Sequence, residues 1–326
     1  MKRREFIAGL GGVATAWPLA AWAQKPGIPL VGLLTAGSPD TQDVAFSAFR
    51  KGLSEAGYVE GRNIAIEFRF ANGLDQMPAM LADLIHRRAT VIATIGGPAP
   101  ALAAKAATTT IPVVFGSGGD PVQLGLVASL NRPGGNVTGV SSMMVELMPK
   151  RFGLLQELVP QATRFAVLVN PKGPNAAHII SGVKLAAAAG GRQIDFFEAS
   201  TSREIETAFA SLMQKQTEAL LLGPDPLFYS RRVQVATLAA RYTVPSIYWE
   251  RDFVEVGGLM SYGTSATYVY HQVGLYTARV LKGEKPSDLP VMQPTEFELV
   301  INQATARIIG VEVPRTLLAV ANEVIE

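Results

Sequence analysis

Short apolar runs alternate with amphipathic, helix-like segments along most of this chain, and this alternation constrains the fold more than any other feature. The first unit has an apolar run at residues 29–35, apolar positions of helical spacing at residues 45–53 and a turn at residues 57–63. The next apolar runs lie at residues 64–70, 91–95 and 111–115. Such alternation predicts a parallel sheet that is covered by helices on both faces.

After residue 149 the alternation begins again and describes a second unit of similar size. Apolar runs in this region and just before it lie at residues 136–142, 164–170, 193–198, 218–223 and 245–249. The C-terminal part adds only a short strand at residues 257–263, a helix at residues 267–281 and an apolar run at residues 297–302. These elements are too few for a third lobe, so we expect the chain to cross between two lobes several times and to form a hinge.

The predicted fold is therefore an α/β fold with two lobes, whose parallel sheets are joined by a multi-strand hinge and face a cleft. A chain of 326 residues with 48% hydrophobic and 17% charged residues can form two such cores. Lobe 1 is expected to comprise residues 24–145 with about 258–292, and lobe 2 to comprise residues 146–257 with about 293–326.

Small and polar residues follow three of the first four predicted strands, at residues 35–40, 96–98 and 116–120. Parallel strands present their carboxyl ends at one edge of a sheet, so these loops are predicted to converge on a ligand site. In the third loop, Ser117 and Asp120 offer a hydroxyl and a carboxylate among glycines that let the backbone approach a ligand closely. Asp120 can equally cap the helix that is expected to follow.

Predicted strand ends in the second half of the chain supply further candidate residues, which are Asn170, Asp225, Trp249 and Tyr262. Asp225 lies between two prolines, so it is either a helix N-cap or a charge that faces the cleft. The two aromatic residues belong either to the core of the lobe or to the walls of a site for a ring-bearing or apolar ligand.

The sequence excludes several kinds of chemistry. It contains no cysteine, and His86, His178 and His271 are far apart without metal-binding spacing, so we expect no metal and no zinc enzyme. Gly116-Ser117-Gly118 lacks the first glycine of a nucleophile elbow, and neither a dinucleotide-binding nor a phosphate-binding glycine motif is present. No cofactor is therefore expected.

The formal charge of +2 comes from residues 2–5, and the rest of the chain is neutral. A neutral chain without a DNA-binding motif presents no basic face to a phosphate backbone, so nucleic acid is not an expected partner. The missing DNA-binding domain, together with the predicted export signal, also weakens the possibility that this chain is the sensor half of a transcription regulator.

The N-terminus has the layout of a secretory signal peptide, with a basic start, an apolar stretch and Ala21-Trp22-Ala23 before Gln24. We predict a signal peptide at residues 1–23 and a mature chain that begins at Gln24. Arg3-Arg4 followed by Glu5 and Phe6 resembles a twin-arginine export motif, although ordinary Sec export is the alternative. Either route leads to the periplasm or the cell exterior.

Several motifs in combination resemble one protein family, and they extend over essentially the whole mature chain. They are Thr35-Ala36-Gly37, the turn at residues 57–64, Ile95-Gly96-Gly97-Pro98, residues 111–116 with Gly119-Asp120-Pro121-Val122, residues 131–139 and residues 281–286. The chain resembles the ABC-transporter substrate-binding proteins of the tryptophan or aromatic amino-acid type. That resemblance implies a type I periplasmic-binding-protein fold, with two Rossmann-like lobes and three hinge crossings.

The resemblance also implies where a ligand binds. The cleft-lining loops of the family fall on Ala36, Gly37, Ser38, Gly96, Gly97, Pro98, Ser117, Gly118, Asp120, Asn170, Asp225, Trp249 and Tyr262. The family often has Gly-Thr-Pro where this chain has Gly96-Gly97-Pro98, which removes a hydroxyl that could hold a carboxylate.

The function expected from the sequence is that of a periplasmic solute-binding protein with no chemistry of its own. It would act as a monomer, capture a small solute such as an amino acid or aromatic compound by hinge closure, and deliver it to an ABC permease in the inner membrane. The alternative is an exported two-lobed enzyme that acts on a small metabolite.

Overall fold

The computed structural model describes residues 27–36, 43–71 and 73–326, and these residues form two separate β-sheets. Sheet 1 contains β1 (Leu30–Ala36), β2 (Ala65–Ala71), β3 (Val91–Ile95), β4 (Val113–Ser117) and β5 (Val137–Ser141). Sheet 2 contains β6 (Arg164–Val169), β7 (Gln193–Glu198), β8 (Ala219–Leu222), β9 (Ser246–Tyr248), β10 (Met260–Gly263), β11 (Glu298–Asn302) and β12 (Glu323–Ile325). The predicted signal peptide, the twin-arginine pair, Gln24, Gly37 and Ser38 lie outside the described residues.

Helices cover both sheets. In chain order, the first three are α1 (Asp43–Glu55), α2 (Met77–His86) and α3 (Pro98–Ala107) in lobe 1. Lobe 2 continues with α4 (Met148–Leu158), α5 (Ala176–Gly190), α6 (Ser202–Gln214), α7 (Pro226–Ser230), α8 (Arg232–Arg241) and α9 (Arg251–Glu255). The chain then returns to lobe 1 with α10 (Ala266–Leu281) and to lobe 2 with α11 (Gln303–Ile309) and α12 (Arg315–Val320). No helix among the described residues is long and apolar enough to cross a membrane.

Each sheet has a hydrophobic core on both faces, because successive side chains of a strand point to opposite sides. In β1, Val31 and Leu33 pack with Phe49 of α1, whereas Leu34 packs on the other face with Leu84 of α2. The strands of lobe 2 divide in the same way, with Leu221 of β8 in one core and Leu220 and Leu222 in the other. This double coverage explains why the strands read as nearly continuous apolar runs.

The strand order is β2-β1-β3-β4-β5 in sheet 1 and β12-β11-β10-β9-β8-β6-β7 in sheet 2. The prediction of parallel sheets is confirmed for every pair except β10 with β11, which is antiparallel. The exception has a simple cause. β10 ends at the edge that faces lobe 1, and the chain returns from lobe 1 to that same edge, so β11 has to run away from it.

One predicted lobe boundary is wrong. β10 pairs with β9 and β11 of sheet 2, so residues 258–263 do not belong to lobe 1 as expected. The chain leaves lobe 2 only after Gly263, and α10 then packs against α1 in lobe 1. Before the chain returns to lobe 2, Met292 hydrogen bonds to Gly139 and Ser141 beside β5. Within the described residues, the chain crosses between the lobes at residues 142–147, 264–265 and 293–297.

One fully buried side chain ties the first crossing segment to the end of β10, just before the second crossing segment. Arg151 of α4 donates from Nε to the carbonyl of Tyr262 at 2.6 Å and from Nη1 to the carbonyl of Met144 at 2.6 Å. The Thr264 hydroxyl adds a bond to the carbonyl of Ser142 at 3.2 Å. Charged donors make strong hydrogen bonds in a low-dielectric interior, so the hinge is held at a defined geometry.

Helices α1 and α10 cross at an unusually short separation because a glycine lies on each helix at the contact. A Cβ atom added to Gly52 would lie 2.2 Å from the carbonyl oxygen of His271, and one added to Gly274 would lie 2.3 Å from that of Phe49. Real Cβ atoms do not approach backbone oxygens so closely. The contact that fastens α10 to lobe 1 therefore requires glycine at both positions.

We predict that Gly274→Ala destabilises the protein by about 2 kcal/mol, because the added methyl group forces α1 and α10 apart. Gly153→Ala is the matched control, since Gly153 lies inside α4 and a Cβ atom added there would meet no neighbouring atom within 4 Å. There the substitution should raise the free energy of unfolding by about 0.5 kcal/mol through helix propensity. Urea unfolding measures both values, and equal midpoints for the two variants would contradict the close crossing.

Candidate functional site

A cavity opens between the lobes at the carboxyl ends of strands from both sheets, and we call it the inter-lobe cavity. Most of the residues that the sequence nominates lie on its wall. From lobe 1 these are Ala36, Gly96, Gly97, Pro98, Ser117 and Gly118, and from lobe 2 they are Asn170, Asp225 and Trp249. Loops that are separated by up to about two hundred residues therefore meet at one place, as the convergence of parallel strand ends requires.

Two nominated residues do not line the inter-lobe cavity. Asp120 accepts hydrogen bonds from the backbone N–H groups of Val122 and Gln123 at 2.8 and 3.2 Å, so it caps its own turn, and that turn does not continue as a helix. Tyr262 packs against Phe297 with ring centroids 6.0 Å apart and belongs to the core of lobe 2. Tyr262 thus follows the alternative interpretation of a core aromatic residue, whereas Asp120 caps a turn and not the helix that was expected after it.

Glycines in the lobe 1 loops allow the two lobes to approach each other closely, because they have no side chain. Gly96 and Gly97 have φ angles of 81° and 105°, a region that L side chains rarely adopt. A Cβ atom on Gly97 would lie 3.3 Å from the ring of Pro226 in lobe 2. A Cβ atom on Gly119 would lie 2.5 Å from Oδ1 of Asn175, also in lobe 2. The lobes thus enclose the cavity closely, and glycine at position 97 is explained by backbone conformation and by this contact.

Asp225 serves two roles that the sequence leaves as alternatives. Its Oδ1 accepts from Leu227 N at 2.9 Å as the N-cap of α7, and also from Nδ2 of Asn170 at 3.0 Å, while the side chain lines the cavity. Burial raises the pKa of Asp225, and these two hydrogen bonds oppose that change. The amide oxygen of Asn170 accepts from Ser200 and from the Lys172 backbone, so Asn170 holds Asp225 in place.

Glu250 is the second carboxylate on the cavity wall, at the residue that follows Trp249. Only 4% of Glu250 is exposed, and its Oε2 atom accepts no hydrogen bond from any described residue. Burial raises the pKa of Glu250 well above its ordinary value, and the charge of Asp252 raises it further. A buried, unpartnered carboxylate oxygen is costly, which makes it a candidate for pairing with a ligand.

Arg151 provides the nearest opposing charge. Its guanidinium lowers the pKa of Glu250, and the carboxylate in turn raises that of Arg151, which burial lowers to about 9. Arg151 therefore stays protonated at neutral pH. The two side chains make no ion pair within 4.0 Å, and the Nη2 atom of Arg151 also has no partner among the described residues. The acid on the cavity wall is thus electrostatically linked to the hinge.

The rest of the wall is largely apolar and aromatic. Trp249 is packed edge-on against Phe253 with ring centroids 4.7 Å apart, and Tyr229 and Tyr270 also line the cavity. Tyr229 donates to Asp252 at 2.5 Å, and burial together with this bond raises its pKa. Burial likewise raises the pKa of Tyr270. Rings of this kind offer a large apolar surface for a ligand.

The described residues that line the cavity include two carboxylates and no Lys, Arg or His. Positive potential comes instead from helix N-termini. Helices α3 and α5 begin at the cavity; the N-cap residue of α3 is Gly97, which has no side chain, and Asn175 at the N-cap of α5 makes no capping hydrogen bond with its side chain. Beside them, the Oγ atom of Ser117 is buried without a described partner. The described part of the chain has no group of three or more His, Asp or Glu residues that could hold a metal ion.

Several cavity residues were not nominated from the sequence, notably Met144, Asn175, Tyr229, Glu250 and Tyr270. Glu250 could have been found from the sequence, because it directly follows Trp249, which was chosen for its position at a predicted strand end. Met144 lies in a crossing segment, and Tyr270 lies within α10, which returns from lobe 2 to lobe 1. Their contribution depends on how the chain crosses between lobes, which periodicity does not reveal.

The fold and the inter-lobe cavity together define a two-lobed binding protein of the type I periplasmic-binding-protein class. The chain belongs to the family of ABC transporter substrate-binding proteins, whose family model matches residues 31–325. This membership confirms the family that the sequence motifs resemble.

Known relatives support the same assignment. A tyrosine-binding protein of Clostridioides difficile strain R20291 is 30% identical over 271 residues, which cover 83% of this chain and 77% of that protein. The crystal structure of an ABC domain in complex with L-Trp from Streptococcus pneumoniae is 26% identical, covers 91% of this chain and 99% of its own, and superposes with a TM-score of 0.83.

A ligand-free, open structure of a substrate-binding protein with adhesive properties from Clostridium difficile is 27% identical to this chain. The match covers 88% of this chain and 96% of that one, with a TM-score of 0.67. The present structure is therefore more similar overall to the L-Trp complex than to the open form. Its close inter-lobe contact at Gly97 and Pro226 agrees with a closed cleft.

We predict that Glu250→Gln becomes more stable than the wild type as the pH rises. Because the pKa of Glu250 is raised by folding, the unfolded chain loses this proton first, and the wild type loses stability above about pH 4.5. The difference in unfolding free energy between the two proteins should therefore grow steadily as the pH rises from 4.5 to 7.

Urea unfolding at several pH values measures this difference. Glu312→Gln is the control, because Glu312 is exposed and the substitution also removes one carboxylate. For the control, the difference in unfolding free energy from the wild type should stay constant with pH. The same result for Glu250→Gln would show that folding does not change the pKa of Glu250.

Proposed function

We propose that this protein captures an α-amino acid with an aromatic or large apolar side chain and delivers it to an ABC permease in the inner membrane. It would act as a monomer in the periplasm and carry out no chemistry on its ligand. Export by the twin-arginine route remains a prediction from the first residues of the chain. The observation that carries the proposal is the combination of groups on the wall of the inter-lobe cavity.

The polar groups of the cavity suit a zwitterion. A ligand ammonium group requires an acid, and the wall offers Asp225 and Glu250. A ligand carboxylate requires donors, and the wall offers the unpartnered hydroxyl of Ser117 and the N-terminus of α5; Pro98 and Pro100 leave α3 with few free N–H groups, so α3 contributes mainly through its dipole. An acidic ligand without an ammonium group would add a further negative charge to a wall that already carries two carboxylates and no basic side chain.

The apolar groups of the cavity suit the side chain of such an amino acid. Trp249, Tyr229, Tyr270, Met144 and Val269 offer rings, a thioether and a branched side chain. Aromatic rings and methionine adapt well to a flat, ring-bearing ligand. Two relatives that are 30% and 26% identical to this chain are named as tyrosine-binding and as a complex with L-Trp, which is consistent with this choice.

Hinge closure supplies the mechanism. The ligand first binds lobe 1 through the loops at Gly96 and Ser117, and closure then brings Asn170 and Asp225 of lobe 2 against it. The closed form is favoured by the extra contacts that only it makes, and a permease can distinguish that form from the open one. An exported enzyme acting on a small metabolite is the rival function.

A ligand screen tests the proposal. Trp249 is the only Trp in residues 24–326, so its emission reports on the cavity without interference in a chain that lacks residues 1–23. We expect L-Tyr and L-Phe to change that emission on titration and D-glucose to leave it unchanged. L-Trp, which is itself fluorescent, is measured by calorimetry, and bound ligands should raise the unfolding temperature.

Two controls complete the screen. Trp249→Phe should remove the emission change and keep amino-acid binding by calorimetry within about tenfold, since an aromatic ring remains. The ligand recovered after prolonged incubation should be unaltered. Consumption of the amino acid would favour the enzyme, and the absence of any response to the standard amino acids would reject the proposed ligand class.

A further inference from the structure

The first crossing segment contains a residue with a strained backbone beside the inter-lobe cavity. Met143 has a φ angle of 54°, in the left-handed region that residues with a side chain rarely adopt. Before it, the N–H group of Ser142 donates to the carbonyl of Ser117 at 2.7 Å. After it, the N–H group of Val145 donates to the carbonyl of Gly118 at 3.0 Å. Strain of this kind persists where surrounding contacts impose it, and it is concentrated at functional sites.

Met144 follows this strained residue, and it lines the inter-lobe cavity between the two lobes. Its carbonyl accepts a hydrogen bond from Nη1 of Arg151 at 2.6 Å, which holds the backbone from the other side. Towards lobe 1, a Cβ atom added to Gly118 would lie 2.9 Å from Sδ of Met144. Towards lobe 2, Met144 packs against the core that contains Trp249 and Phe253. The thioether chain therefore fills the space between a loop of lobe 1 and the core of lobe 2.

The aromatic groups on the wall of the inter-lobe cavity are fixed more firmly than Met144. Only 3% of Trp249 is exposed, and its ring packs edge-on against Phe253 with the centroids 4.7 Å apart. The hydroxyl of Tyr229 donates to Asp252 at 2.5 Å. Met144 is only partly buried, and its unbranched chain can adopt several rotamers. The size of the free space beside the rings therefore depends on Met144.

We propose that Met144 is a specificity-determining residue, which limits the size of the ring that the inter-lobe cavity accepts. This inference rests on the proposed function, because it concerns the side chain of an amino-acid ligand. The backbone on either side of Met144 is held at Ser142 and Val145, and its carbonyl is held by Arg151. A shorter side chain at this position leaves open space, since the wall cannot move in to refill it. A larger ring can occupy that space, whereas a smaller ring loses contacts.

The experiment compares L-Phe with L-3-(2-naphthyl)alanine, which carries a larger ring on the same amino-acid backbone. Calorimetry on the chain that lacks residues 1–23 measures both affinities. Their ratio removes any effect that is common to the two ligands. Met144→Ala should raise the affinity for the naphthyl ligand relative to L-Phe by about tenfold or more, because one methylene group in an apolar pocket already changes binding by about that factor.

Two variants serve as controls. Met144→Leu keeps an apolar side chain of similar volume, so the ratio of affinities should stay within about threefold of the wild type. Met213→Ala removes the same thioether chain from α6, where Met213 is 42% exposed and lies outside the cavity wall. It should leave both affinities unchanged. Unfolding temperatures establish that all three variants are folded.

The outcomes separate this inference from the proposed function. If Met144→Ala leaves the ratio unchanged, or weakens both ligands equally, Met144 does not limit the ring and the inference is overturned while the proposed function stands. If Met144→Leu changes the ratio as much as Met144→Ala does, side-chain size is not the selected property and the inference is likewise overturned. If the wild type binds none of L-Phe, L-Tyr and L-Trp, the proposed function fails and this inference fails with it.

Discussion

The buried guanidinium of Arg151 joins the parts of the molecule on which function depends. Its hydrogen bonds to the carbonyls of Met144 and Tyr262 connect the first crossing segment of the hinge to the end of β10, and its charge acts on Glu250 at the cavity wall. Burying an arginine is costly unless its donors are used and a counter-charge lies nearby. The lobes, the hinge and the cavity are therefore coupled through one side chain.

Some polar atoms on the wall of the inter-lobe cavity are hydrogen bonded to their neighbours and others are not. Within lobe 2, Oδ1 of Asp225 accepts from Asn170 and from the backbone of Leu227, whereas the buried Oγ of Ser117 and Oε2 of Glu250 have no partners among the described residues. Native interiors rarely leave such groups unpaired unless something else binds them. The distribution of satisfied and unsatisfied atoms thus carries more information about a ligand than the shape of the cavity does.

Much of the fold could be predicted because its signals are local. The apolar runs that become β1, β3 and β4 are buried on both faces, so their composition alone identifies them. The parallel ladders and the convergence of strand-end loops at Gly96, Ser117 and Asp225 followed from that alternation. The antiparallel β11 and the placement of β10 in lobe 2 did not, because both depend on where the chain crosses the hinge.

The sequence by itself determined the two α/β lobes, the family and the loops from which the cavity is built. The reason is that apolar strand runs and glycine-rich turns are recognised from residues that are close together in the sequence. Only the tertiary structure decided which side chains of those loops remain available. Asp120 caps a turn, and Tyr262 packs in the core of lobe 2. Glu250 lies near Arg151, and its Oε2 atom has no hydrogen-bond partner among the described residues. Availability depends on hydrogen-bond partners and burial, which are properties of residues that are distant in the chain and adjacent in space.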